Sequence, residues 1–139
     1  MEQRTDSKND RRHFLKTSAT ALAAAQLMGT RAWAGANEKV RVAVVGVHGQ
    51  GRSHVRQYLA IKEAELVALC DVDESVLDKA SEELIVGKGF PKPKFFWNYQ
   101  ELLEDPSIDA VSFATPNHWH SLQAIWGCQA GKHVYVEKP

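Results

Sequence analysis

The chain has 139 residues, room for one domain, and its 17 Lys/Arg balance its 17 Asp/Glu. The balance is uneven: residues 1–34 hold six basic and three acidic side chains, whereas residues 35–139 hold eleven and fourteen. The body is therefore net acidic and offers no basic patch, which excludes nucleic acid as a partner. The two cysteines, Cys70 and Cys128, have no metal-ligand spacing and are expected as buried free thiols.

In chain order, residues 1–34 read as a twin-arginine signal peptide. Arg11-Arg12-His-Phe-Leu-Lys16 is a charged start, and Thr17 to Met28 is an alanine-rich run too short to span a bilayer. Ala32-Trp-Ala34 is a small-x-small cleavage site. The arginine pair followed by Phe14-Leu15-Lys16 resembles the twin-arginine export signal, and departs from it at Asp10, where Ser or Thr is usual. The alternative is a disordered tail. The expectation is a folded protein passed by the twin-arginine export machinery to the periplasm or the medium, with residues 35–139 as the mature part.

The mature part alternates strand and helix patterns. Residues 40–45 are a β-branched run ending at Gly46, the pattern of a buried strand. Residues 54–61 place Val55, Tyr58 and Leu59 on one helical face. A second strand, 66–70, closes at Asp71. Asp73 suits the cap of a helix that buries Leu77, Ala80 and Leu84. The glycines and prolines of residues 87–94 predict a loop. A short strand follows over 95–97, then a helical turn or two over 99–103, then a fourth strand over 110–114. The next helix is predicted to bury Leu122, Ile125, Trp126 and Ala130 and to stop at Gly131. A fifth strand spans 133–136. Such a series predicts an α/β fold: a Rossmann-type doubly wound parallel sheet in the order 3-2-1-4-5, with ligands at the carboxyl ends of the strands around the switch between the first and fourth.

Three marked segments fall on that edge. The first is Gly46-Val-His48-Gly49-Gln-Gly51. Gly46 permits a tight exit from the strand, Gly51 permits close packing of the helix, and the backbone N–H groups between them suit a pyrophosphate. The middle glycine of the usual G-x-G-x-x-G is replaced by His48, with glycine displaced to Gly49. The second segment is Asp71, twenty residues beyond Gly51. A carboxylate there accepts hydrogen bonds from ribose hydroxyls and repels a 2′-phosphate, which favours NAD over NADP. Arg52 argues the other way, because a guanidinium can pair with a phosphate, so NADP stays open. The third segment is Thr115-Pro116-Asn-His-Trp-His120 together with Glu137-Lys138-Pro139. His118 and His120 have the spacing of a His-x-His chelate but no third ligand nearby, and no metal is expected. His54 and His133 are read as structural.

These segments resemble the N-terminal domain of the glucose–fructose oxidoreductase / inositol dehydrogenase (Gfo/Idh/MocA) family, from about Val40 to Pro139. The resemblance rests on the Gly46 turn, Cys70-Asp-Val-Asp73, Asp109-Ala-Val, Ala114-Thr-Pro, His120 and Ala130-Gly-Lys-His-Val-Tyr-Val-Glu-Lys-Pro139. It implies that Thr115 and Pro116 line the cofactor. It also implies that Lys138 lies near the nicotinamide and a substrate hydroxyl, and that a cis bond often precedes the proline. His120 is expected to contact the site, and Glu137 to pair with Lys138 or hold the nicotinamide ribose. A second α/β domain is expected after Pro139, so the 139-residue chain is read as a fragment that by itself turns nothing over.

Three functional readings follow from the resemblance. The first is the NAD(P)-binding domain of an exported oxidoreductase acting on a sugar or polyol hydroxyl. The second is an NAD-dependent glycosidase of the same architecture. The third is a non-catalytic nucleotide-binding remnant. Oligomerisation of a full-length protein is left open.

Overall fold

The computed structural model describes residues 39–138. The predicted leader, residues 1–34, and Pro139 lie outside the described residues. Five strands and four helices alternate: β1 Val40–Val45, α1 Gly51–Ala60, β2 Ala64–Cys70, α2 Glu74–Leu84, β3 Lys94–Phe96, α3 Tyr99–Glu104, β4 Ala110–Phe113, α4 Asn117–Gln129 and β5 His133–Val136. A 3₁₀ turn over Val86–Lys88 interrupts the predicted loop. All strand pairs are parallel, and the sheet order is β3-β2-β1-β4-β5, as the pattern predicts.

The strands form because their residues can be buried on both faces, and period-two alternation sorts them. Val44, Leu66 and Leu69 join Val55 of α1 and Leu77, Ala80 and Leu84 of α2 on one face. Ala43, Val45, Ala68, Cys70, Val111 and Phe113 join Leu102 and Leu103 of α3 on the other, with Trp126 of α4 packed against them. Alternation fails once. The register steps from Val42↔Leu66 to Ala43↔Ala68, so Val67 has no partner on β1, and Val67 and Ala68 both serve the second face. This is a β-bulge, which restores the pattern for Leu69 and Cys70 at the carboxyl end.

Helix ends follow local chemistry. Asp73 Oδ1 accepts from the Ser75 N–H at 2.9 Å and caps α2, and Asn98 Oδ1 does the same for α3 through the Gln100 N–H at 2.9 Å. At the end of α4, Gly131 adopts φ +70°, its N–H donates to the Cys128 carbonyl, and the Lys132 N–H donates to that of Gly127. That pair of bonds is a Schellman stop, as predicted for Gly131.

Two expectations fail. Leu122, Ile125 and Ala130 do not face the core; all three are exposed, Leu122 and Ile125 by 37% and 52%. The face of α4 that meets the sheet carries His120, Gln123 and Gly127 instead. Gly127 explains the choice: a Cβ there would lie 2.7 Å from Val134 Cγ2 and 3.5 Å from the Phe113 ring, so only glycine lets the helix come this close. The second is Cys128, which follows Gly127 and is exposed, whereas Cys70 is buried as expected.

The amino ends of the strands are tied by charge. The Arg41 guanidinium grips Asp109 through Nε at 2.9 Å and Nη2 at 2.7 Å, Lys94 Nζ reaches Asp105 at 2.8 Å, and Lys132 Nζ donates to the carbonyls of Asp105 and Ile108. Hydrogen bonds from these cations hold both aspartates below the usual carboxylate range, Lys94 acting first on Asp105 and Arg41 on Asp109.

Candidate functional site

The predicted edge does bring the marked segments together. β1 ends at Val45, and Gly46 turns away with φ +83°, its N–H donating to the Cys70 carbonyl at 2.8 Å. A side chain there would press on the Ala114 carbonyl at 2.9 Å. Gly51 opens α1 against that turn, and a Cβ on it would stand 1.8 Å from the Gly46 carbonyl oxygen. Gly49 differs from both: nothing lies within 4 Å of where its Cβ would be. The displaced glycine thus leaves open space above the turn, beside the amino terminus of a helix with no acidic residue in its first turn. This is the condition for close approach of an anion to backbone N–H groups.

A cleft of about 760 Å³ spreads from this turn, lined by Gly46, His48, Gly49, Asp71, Thr115 and Pro116, with Val72, Trp97 and Trp119 among its apolar walls. Asp71 closes β2 and engages both oxygens with backbone: Oδ2 accepts from the Val47 N–H at 2.9 Å and Oδ1 from the Asp73 N–H at 3.2 Å. The carboxylate therefore shapes the glycine turn and also faces the cleft. Cys70 lies beneath, its thiol pushed up to about 12 by burial first and by the Asp71 charge second.

A second cavity of about 390 Å³ shares Ala114 and Thr115 with the cleft and is lined also by Gln50, Asn117, His120, Glu137 and Lys138. Thr115 is the wall between the two. His120 Nε2 meets its carbonyl oxygen at 2.7 Å, and its hydroxyl donates to Gln123 Oε1 at 2.5 Å. The buried polar face of α4 is thus satisfied by the wall it holds.

Glu137 is fixed by His54, a residue whose place in the sequence marks it only as structural. His54 Nε2 lies 2.9 Å from Glu137 Oε2, and its Nδ1 lies 2.9 Å from Ser112 Oγ. The other Glu137 oxygen accepts from the Lys138 N–H at 3.1 Å. The His54 hydrogen bond, then that N–H, hold the Glu137 carboxyl below its ordinary range. The expected Glu137–Lys138 pairing is therefore made through the backbone, while the Lys138 side chain is exposed at the cavity. The signal for His54 was its place one turn after Gly51, on the helix face that packs on the sheet. Arg52 is not brought to either cavity. It pairs with Glu83 of α2 and lines a separate groove with Arg56 and Lys88. Another groove of about 470 Å³, with Lys39, Lys62 and Phe90 in its lining, lies at the amino end of β2, away from every candidate residue. Among the described residues, no group of three or more His, Cys, Asp or Glu is placed to hold a metal ion.

A doubly wound parallel sheet with a glycine turn, an open helix amino terminus and an acidic second strand end defines a dinucleotide-binding domain. Residues 40–139 match the family model described as the oxidoreductase family, NAD-binding Rossmann fold. The chain belongs to that family, Gfo/Idh/MocA, and is an NAD-binding Rossmann domain of it. Among curated relatives, it is 42% identical over 106 residues to the glycosyl hydrolase family 109 protein 1 of Shewanella sp. (strain MR-4), covering 73% of this chain and 23% of the relative. It is 41% identical over 106 residues to an alpha-N-acetylgalactosaminidase of Shewanella oneidensis, with the same coverage of both. Among solved structures, scyllo-inositol dehydrogenase from Lactobacillus casei with bound NAD(H) and scyllo-inositol superposes with a TM-score of 0.64 at 30% identity, over 73% of this chain and 28% of that one. Biliverdin reductase from Synechocystis sp. PCC 6803 with biliverdin and NADP+ superposes with a TM-score of 0.63 at 30% identity, over 72% and 29%. The chain spans about a quarter of the length of these curated relatives.

Proposed function

We propose that this domain holds NAD for an exported enzyme that oxidises a sugar or polyol hydroxyl, and that in its glycosidase form the oxidation is reversed before product leaves. The carrying observation is the Thr115 wall, which joins a dinucleotide-sized cleft to a smaller cavity bearing Glu137 and Lys138. The cleft suits the cofactor's adenosine and pyrophosphate, with Asp71 facing the ribose hydroxyls and Gly49 leaving room for phosphate. His48, the residue in the middle position, lines the same cleft, as do Thr115 and Pro116. The smaller cavity suits the nicotinamide end. Bound NAD+ supplies a hydride acceptor. The Lys138 ammonium orients the reacting hydroxyl and lowers its pKa, and Glu137 accepts a hydrogen bond from a ribose or substrate hydroxyl. His120 holds the Thr115 carbonyl and thereby the wall.

The curated relatives favour the glycosidase form, because the identity is higher to the glycosyl hydrolase family 109 proteins than to the solved dehydrogenases. Release of an aryl group from an aryl α-N-acetylgalactosaminide without net NADH, by a longer chain that carries this domain, is the expected result. Net NADH from a free polyol selects the dehydrogenase form. In either assay Lys138→Ala should lower turnover by about 10²–10⁴-fold and leave NAD affinity nearly unchanged. Retention of activity within about threefold would place the acid–base group outside this domain.

A further inference from the structure

We propose that His54 is a positioning residue, which sets the orientation of the Glu137 carboxylate at the smaller cavity from inside the interface between α1 and the sheet. The role rests on the cofactor reading above. His54 is 3% exposed and touches neither cavity. Its ring is fixed on three sides: Nε2 against Glu137 Oε2 and Nδ1 against Ser112 Oγ, both at 2.9 Å, and the Tyr135 ring edge-on with centroids 5.5 Å apart. An ionised carboxylate only accepts, so Nε2 carries a proton and donates it to the bond. Nδ1 then faces a hydroxyl that donates to a neutral ring or accepts from a cationic one. The Ser112 rotor therefore serves either charge state, and the Nε2–H···Oε2 bond survives a change between them.

One acceptor position on each Glu137 oxygen is thus occupied from within the protein, by His54 and by the Lys138 N–H. The remaining lone pairs serve a hydroxyl in the cavity. His54 also stands on the helix whose first residue is Gly51, so a single rigid element registers the phosphate end of the cofactor against the carboxylate at the other end. A carboxylate so held loses little freedom when a ligand hydroxyl arrives.

The test is NADH titration by fluorescence with the 139-residue chain as wild type, His54→Leu, Glu137→Gln and the double variant, with His54→Gln as the conservative replacement that keeps a donor. Each of the first two single changes should weaken binding about tenfold or more, as loss of a hydrogen bond to a charged group does. The double variant should match Glu137→Gln within about twofold, and His54→Gln should regain part of the loss. Ring ¹⁵N spectra of wild type provide a readout that needs no variant to fold: a proton on the His54 Nε2 is expected. Losses that multiply in the double variant, or a proton on Nδ1 alone, overturn the role while leaving the cofactor reading intact. A wild-type chain that does not bind NADH overturns both.

Discussion

Asp71 holds the glycine turn with one oxygen through Val47, whose side chain is fully buried, and braces its own loop with the other. Removing the carboxylate and removing its charge are therefore different experiments. Asp71→Asn keeps an oxygen for the Val47 N–H, deletes the charge that opposes a 2′-phosphate, and gives up only the longer, exposed bond from the Asp73 N–H. We expect it to narrow the NAD over NADP preference about tenfold, or ~1.4 kcal/mol, with little change in melting temperature. Asp71→Ala should do the same and in addition cost about 1–3 kcal/mol of stability, because a buried N–H loses its acceptor. Calorimetric titration with both cofactors and thermal melts of the two variants separate these effects. Equal affinity of the wild type for NAD and NADP would remove the discriminating role from Asp71.

The glycines of the turn divide by what surrounds them, and the helix α1 depends on only some of them. Gly51→Ala drives a methyl group into the Gly46 carbonyl and cannot be relieved by rotation, so a loss of at least about 1–3 kcal/mol is expected, visible as a lowered melting temperature. Gly49→Ala meets open space, so it should leave the melting temperature almost unchanged and weaken NADH binding instead. The opposite ranking would mean that the phosphate approaches elsewhere. Sequence pattern located these elements well where burial is the only demand on a segment, as in β1 and β2 or in α2 with its Asp73 cap. It failed on α4, where apolar spacing pointed to Leu122 and Ile125. There the inner face is chosen by Gly127, which sets a close approach, and by His120 and Gln123, which are buried because Thr115 needs partners. Hydrophobic periodicity has no signal for either cause. For the same reason Arg52 looked like a phosphate ligand, since its partner Glu83 stands on another helix, and His54 looked inert, since Glu137 lies 83 residues away.

At the scale of the whole chain, two pH limits follow from the ionisable groups. Asp105 and Asp109 have lowered carboxyl pKa values in the fold, so their stabilisation is complete above the ordinary aspartate range and is lost as pH falls through the folded values. Acid unfolding should therefore begin only below about pH 4. Cys70 works in the other direction. Its folded pKa of about 12 exceeds the ordinary 9.0, so the unfolded chain releases the proton first, and stability declines as pH rises from about 9 toward 12. Cys70→Ala should flatten that alkaline decline in pH-dependent melts, and an unchanged slope would assign it to other groups. Export belongs to this scale too. The leader reading predicts that changing Arg11 and Arg12 together to Lys keeps the precursor in the cytoplasm, and that secreted protein begins at Gly35 on N-terminal sequencing. Continued export of the double variant would point to another route.

The contrast between the two thiols also provides a clock. Cys128 is exposed on the outer side of α4, while Cys70 is sealed in the sheet beneath the cleft. A thiol reagent should modify one group per chain at once, and the second only when the sheet opens around β2. The delay between the two events measures how often that end of the sheet opens. NADH should lengthen the delay by the factor 1 + [NADH]/Kd, because a ligand that binds only the closed form withdraws chains from the opening population.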